Sequence, residues 1–246
     1  MKGVRAVLFD LHGTLLLSDD VDAAWDRWVA AFHAEIAKRG ATMTLKEFKA
    51  ALGSLYNDPE LVAHQPDLTL FERRVKGFCE RLSIEIPRTE LRSLVETIID
   101  VWHRDMYLDP DAVPLLEALR ERFKVGIITN WDHGPRMHRL LDQLGLRSLL
   151  DDVVVSDDVG VSKPNPEIFR LALARLGVPA PSAIYVGDMD LDARGSLDAG
   201  MHSVLVRRSS RGDWSSYSEA VDCGFDTEKV TIIERLPDLL RLLNGE

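Results

Sequence analysis

Only two cysteines, Cys79 and Cys223, occur in 246 residues. So few thiols build neither a disulfide framework nor a thiolate metal cluster, and two reduced cysteines in a cytoplasmic protein are expected. Long apolar runs are also missing. Val4–Phe9 is too short for the apolar region of a signal peptide, and Asp10 ends it. No stretch approaches the roughly 20 apolar residues that cross a bilayer. Positive charge is in deficit, with 30 Lys and Arg against 40 Asp and Glu, a formal net charge of −10. Such a field disfavours nucleic acid and anionic membrane as partners. It leaves room for a small anionic substrate, because a local lysine and a bound cation override the global charge.

A chain of this length holds one large domain, or a core with a smaller insert. Residues 4–10 read as a strand buried on both faces. Helical spacing then takes over, first at Val21, Trp25, Trp28, Val29, Phe32 and Ile36. It returns at Leu70, Phe71, Val75, Phe78 and Leu82, and again from Leu91 to Trp102. Thr44 and Glu47 stand at capping-box spacing before a short helix. From Asp111 the pattern alternates: helices near 112–122, 135–144 and 166–176 precede strands at 124–129, 152–155 and 183–187. A short helix leads to Ser203–Val206, and Val230–Ile233 precedes a closing helix. The predicted fold is α/β, a doubly wound, Rossmann-like parallel sheet. Residues 1–17 and 108–246 form its core, and residues 18–107 an all-helical insert after the first strand. Arg207–Ser218 reads as a polar surface excursion.

Four short stretches carry the chemistry. Asp10-Leu11-His12-Gly13-Thr14 follows the first strand, Thr129-Asn130 ends another, Lys163-Pro164 opens a helix, and Gly187-Asp188 leads to Asp190 and Asp192. They lie at or near the carboxyl ends of predicted strands or in loops, where open α/β sheets bind ligands. Asp10 is a candidate nucleophile, since a carboxylate can attack phosphorus and form an acyl phosphate; taken alone, such an Asp more often caps a turn. Gly13 lets the backbone pass close to a ligand, and Thr14 adds a hydroxyl. Thr129 and Asn130 offer donors to phosphate oxygens, though both also suit a simple turn. Lys163 can neutralise a phosphate and a carboxylate together; a lone lysine is otherwise a solvated charge. Asp188, Asp190 and Asp192 crowd three carboxylates into five residues. A helix start favours one of them, most easily Asp190. Two facing Asp10 would require a cation, and oxygen ligands with a phosphate substrate suit Mg²⁺.

In order, these stretches resemble the four motifs of the haloacid dehalogenase-like (HAD) hydrolase superfamily. FDLHGTLL is similar to the first motif, TN to the second, the lysine of SKPNPEIF to the third, and GDMDLDARGSLDAGM to the fourth. The likeness spans the core and is nearest to the branch of phosphoglycolate phosphatase-like and 2-haloacid dehalogenase-like enzymes. It implies a helical cap at 18–107 and a phospho-aspartate on Asp10. It also implies phosphate contacts from Thr129, Asn130 and Lys163. Mg²⁺ would be held by Asp10, Asp188 and the backbone carbonyl of His12, with Asp192 completing or buttressing the site. The implied substrate is a small phosphorylated metabolite. The motifs specify neither which metabolite nor the oligomeric state.

His12 departs from the pattern. Phosphatases of the superfamily usually have a second Asp there, which protonates the leaving alcohol and then activates water. Imidazole titrates near pH 6.5 when unperturbed. Nearby Mg²⁺ lowers that value, while Asp10 and phosphate oppose the lowering. Neutral histidine is a good base and a poor acid, so activity is expected to be weak. Two alternatives stand beside the phosphatase. A 2-haloacid dehalogenase uses the same nucleophile on carbon without metal, but usually has Tyr at this place and fewer acids in the fourth motif. A weakly active or inactive relative would bind a phosphorylated ligand or a protein partner. His33, His64 and His103 lack metal-ligand spacing. Trp25, Trp28 and Trp102 follow the apolar stripes of the insert, and Arg73 and Arg74 read as a solvated helix face.

Overall fold

The computed structural model describes residues 3–57, 67–208 and 224–245. His64, Cys223 and most of Arg207–Ser218 lie outside them. In chain order the elements are β1 (Ala6–Phe9), β2 (Leu16–Leu17), α1 (Val21–Ala37), α2 (Leu45–Ala51), α3 (Gly53–Asn57), α4 (Leu70–Arg81), α5 (Arg88–His103) and β3 (Tyr107–Leu108). They continue with α6 (Ala112–Arg120), β4 (Lys124–Thr129), α7 (Gly134–Gln143), β5 (Asp152–Val155), α8 (Ser156–Val159) and α9 (Pro166–Leu176). The last are β6 (Ala183–Gly187), α10 (Asp190–Asp198), β7 (His202–Val206), β8 (Val230–Ile233) and α11 (Asp238–Asn244). The chain divides into two compact units, Met1–Asp19 with Met106–Glu246, and Asp20–Asp105.

The first unit is the expected Rossmann-like α/β core. Its six-stranded sheet has the order β5-β4-β1-β6-β7-β8, parallel throughout. The continuous apolar runs follow from burial on both faces. In β1, Val7 and Phe9 join one core cluster, while Ala6 and Leu8 join the other. In β6, Ile184 and Val186 divide from Ala183 and Tyr185 in the same way. The order places β1 and β6 side by side, pairing Phe9 with Val186. Asp10 and Asp188, each just past a strand end, are thereby brought to the same sheet edge.

A two-residue antiparallel ribbon, Leu16 opposite Leu108 and Leu17 opposite Tyr107, joins the segments flanking the second unit. Two residues carry no periodicity, so no sequence pattern announces this ribbon.

The second unit contains only helices among its described elements. The Thr44–Glu47 capping box is present, and a second, Thr69–Glu72, starts α4. Phe32 packs against Phe48 and Phe78 at ring separations of 5.2 and 5.9 Å. Trp25 and Trp28 stack 5.0 Å apart, with Trp102 edge-on to Trp25. Arg73 and Arg74 are half-buried rather than fully solvated, and Arg74 lies over the Tyr56 ring. Cys79 is buried, which pushes its thiol pKa up to about 12 and keeps it protonated at neutral pH. Among the described residues, no helix is long and apolar enough to cross a membrane.

Candidate active site

Asp10 leaves the end of β1 with its N–H bonded to the Val186 carbonyl at 2.8 Å. The chain then turns sharply. Gly13 sits at φ +83°, a conformation that glycine adopts without penalty. The turn is closed by the Gly13 N–H on Leu16 O at 2.8 Å. Arg208, past the end of β7, donates to the Gly13 and Thr14 carbonyls at 2.7 and 2.8 Å, and to Asp109 at 2.8 Å.

Lys163 is buried at the centre of the site. Its ammonium donates to Asp10 Oδ1 at 2.6 Å, Asp192 Oδ1 at 2.7 Å and the Tyr185 hydroxyl at 3.0 Å. An ammonium has three protons, and each is thus matched by an acceptor. Tyr185 passes its own proton to Ile128 O at 2.9 Å. The Asn130 side chain fixes the lysine's backbone, donating to Lys163 O at 2.9 Å and accepting from Lys163 N at 2.8 Å. Asp192 folds back over the chain, accepting from the Met189 N–H at 3.0 Å. Only glycine permits this at position 187, where a Cβ would lie 2.4 Å from the Asp192 carboxylate. Asp188 accepts from the Thr14 hydroxyl at 3.0 Å.

The electrostatics are unbalanced towards negative charge. One oxygen each from Asp10, Asp188 and Asp192 lies within 4.8 Å of the others. Burial opposes the charge of Lys163, but Asp10 and Asp192 outweigh it and hold its pKa above the ordinary value. Burial, then the charges of Asp10 and Asp192, push Asp188 well above the usual carboxylate range. Burial also raises Asp192, with Lys163 opposing. Tyr185 is raised by burial and by Asp192, so it remains a neutral phenol. Three carboxylates against one ammonium leave an excess that fits a hard divalent cation with oxygen ligands. Asp10 Oδ2 and Asp188 Oδ2 lie outside the hydrogen bonds just described, so these oxygens could take a cation.

This arrangement predicts that Mg²⁺ stabilises the native chain. At about 100 times Kd the gain is about 2.7 kcal/mol, a rise in Tm of roughly 5–10 °C at this size. Asp188→Ala removes an anionic ligand and should weaken Mg²⁺ at least about tenfold. Titration calorimetry on both proteins checks this, and an unchanged affinity refutes the assignment of Asp188.

Thr14 and Asn130 occupy other roles than the sequence suggested. Thr14 is buried and spends its proton on Asp188, so it orients a carboxylate rather than reaching for substrate. Asn130 positions Lys163 with its amide oxygen and one amide proton, instead of offering the whole group to phosphate. Asp190 stands at the helix start as expected, exposed in the first turn of α10 and paired with Arg207 at 2.5 Å, outside the carboxylate cluster. Arg207 also bonds the Asp188 carbonyl. Thr129 is buried at the end of β4. His12 is half-buried, its ring stacked on Trp131 with centroids 4.9 Å apart and planes 14° from parallel. Burial, and secondarily Lys163, lower its pKa to about 3, so the imidazole is neutral.

Tyr185, Trp131 and Arg208 were missed by sequence reasoning. Tyr185 had one signal, a hydroxyl within an otherwise apolar strand.

A model of the haloacid dehalogenase-like hydrolase family matches residues 4–200. A glyceraldehyde 3-phosphate phosphatase from Methanopyrus kandleri is 33% identical over 217 residues, covering 85% of this chain and 87% of the relative. Among solved structures, a 2-haloacid dehalogenase from Pseudomonas syringae pv. Tomato superposes with a TM-score of 0.69 at 24% identity, over 98% of this chain and 99% of that one. A HAD phosphatase from Thermococcus onnurineus does so with a TM-score of 0.66 at 24% identity, over 99% of each chain. At that identity the two structures speak for the shared fold alone. The family match covers both motif-bearing ends of the core, and with it the chain belongs to the haloacid dehalogenase-like hydrolases.

Proposed function

We propose that the chain is a Mg²⁺-dependent phosphohydrolase that acts on a small phosphorylated metabolite through a phospho-aspartate on Asp10. The observation that carries this reading is the buried contact of 2.6 Å between Lys163 and Asp10, set inside a cluster of three carboxylates. The phosphatase name of the Methanopyrus relative supports the same substrate class. A dehalogenase shares the nucleophile but has no use for the acidic cluster, which favours phosphate chemistry over carbon. The helical unit, inserted between β2 and β3, is the segment to which we assign substrate selectivity.

The reaction has two halves. An Asp10 carboxylate oxygen forms a bond to phosphorus while the bond from phosphorus to the leaving oxygen breaks, and the leaving oxygen takes up a proton. Water then attacks phosphorus, the acyl-phosphate bond breaks, and Asp10 is regenerated as phosphate departs. Lys163 and the buried carboxylates hold Asp10 in one orientation throughout. Mg²⁺, held by Asp10 and Asp188 with Asp192 behind them, would offset the charge of phosphate against the carboxylates. Thr129 and the remaining amide proton of Asn130 are the donors assigned to the phosphate oxygens.

His12 is the assigned acid–base residue. A neutral imidazole has none of the acidity needed for a poor leaving group, and it takes a proton from water once the negative phosphate on Asp10 offsets the lowering by burial and Lys163. Turnover should therefore fall steeply as leaving-group pKa rises. His12→Asp should raise kcat/KM on an alkyl phosphate by about tenfold or more, and much less on an aryl phosphate. Steady-state kinetics of both proteins on both substrates, at saturating Mg²⁺, check this. Equal native rates on the two, with no gain from Asp, would mean that leaving-group protonation does not depend on residue 12.

A further inference from the structure

His12 and Trp131 are far apart in sequence and stack with an offset in the fold. The 14° angle and 4.9 Å separation lay the indole, offset, along one face of the imidazole. Trp131 itself is tied down. Its backbone N–H donates to Ser156 Oγ at 2.9 Å, and the same hydroxyl donates back to the Trp131 backbone carbonyl at 3.2 Å. The Asp157 N–H adds a further bond to Trp131 O at 3.3 Å. Ser156 is buried at the start of α8, directly after β5, and Trp131 lies one residue beyond the Thr129-Asn130 pair that ends β4. The indole thus rests on a backbone held between two neighbouring strands of the core. An imidazole has a freely turning χ2 unless something restrains it, and general base catalysis requires the accepting nitrogen to be placed within hydrogen-bond reach of water.

We propose that Trp131 is a positioning residue for His12, fixing its ring plane for the water-activating half-reaction. The inference rests on the phosphatase reading and adds to it a second residue on which dephosphorylation depends. In that step the water oxygen bonds to phosphorus and its proton passes to an imidazole nitrogen. The bond between phosphorus and Asp10 breaks, its electron pair returning to the carboxylate. Formation of the phospho-enzyme from an aryl phosphate does not use the imidazole, because an aryl oxide leaves without a proton.

Rapid-mixing kinetics with p-nitrophenyl phosphate and Mg²⁺ separate the two halves. Trp131→Leu should leave the rate of the first-turnover burst of p-nitrophenol within about threefold and lower the steady-state rate by roughly tenfold or more. Misplacing a catalytic group by about 1 Å costs as much as 10²-fold. Trp131→Phe keeps a flat ring and should restore most of the lost rate. In a His12→Ala background, Trp131→Leu should change the steady-state rate by less than about threefold, since its effect passes through the missing imidazole. The ring protons of His12 should show an upfield ring-current shift in NMR spectra that is lost in Trp131→Leu. Equal slowing of burst and steady state, or the same loss with and without His12, overturns the proposal while leaving the phosphatase reading intact. No burst and no turnover by the native chain on any phosphate ester overturns that reading, and this proposal with it.

Discussion

Asp10→Asn is expected to lower turnover by on the order of 10⁴-fold or more while leaving a normal melting transition. An amide has neither the charge nor the basicity to attack phosphorus, and removing a nucleophile typically costs factors of this size or larger. The fold should tolerate the change because asparagine has nearly the same shape. Lys163 would keep Asp192 and Tyr185 as acceptors, and Asn Oδ1 can still accept from the ammonium. Initial rates on an aryl phosphate, with a thermal melt of the same sample, make the comparison. Near-native turnover by a well-folded variant would remove Asp10 from the chemistry.

Lys163→Met should damage both activity and stability. Its ammonium is buried, as are the carboxylates of Asp10 and Asp192 that it bridges. Deleting one partner of such a pair leaves uncompensated buried charge and costs about 3–5 kcal/mol. For a chain of this size that is a drop in Tm of roughly 6–20 °C. The direction of the pH dependence is distinctive. Burial already raises Asp188 and Asp192 in the native chain, and loss of the lysine raises them further. Native carboxyls then bind protons that the unfolded chain has released, so stability is greatest at low pH and falls as pH rises through the folded values. Melts of the variant between about pH 5 and about pH 8 should show Tm decreasing with pH. A variant as stable as the parent at neutral pH would show that the lysine does not hold the cluster together.

The order of elements was legible because the strands of a doubly covered sheet are short apolar blocks and the helices carry full-length periodicity. Strands β4, β5, β6 and β8 fall at the predicted residues, and α9 does also. The first strand is shorter than expected, beginning at Ala6. The two-residue ribbon and the brief helices α3 and α8 contain too few residues for a period to show.

At the site, identity was easier to read than partnership. Asp10, Lys163, Asp188 and Asp192 stood out as charges in loops that a parallel sheet gathers at one edge. Nothing in the sequence said that Thr14 would turn to Asp188, or that Asn130 would hold the lysine's backbone. Those choices depend on which loops become neighbours, and that is fixed by the strand order. Tyr185 faces Lys163 because it shares a sheet face with Ala183, Ala6 and Leu8. Trp131 meets His12 because β4 pairs with β1. Arg208 reaches the Gly13 turn from beyond β7, two strands from β1 in the sheet order.

The central claim is that Asp10 carries the phosphoryl group, and acid-quench mass spectrometry tests it most directly. The chain is mixed with an aryl phosphate and Mg²⁺, quenched within the first turnovers, digested and sequenced by mass. One phosphoryl group should be found on Asp10, in an amount that grows as dephosphorylation is slowed, and none should be found in Asp10→Asn. A phosphoryl group on another residue, or rapid turnover with no phosphorylated peptide at any quench time, would contradict the account.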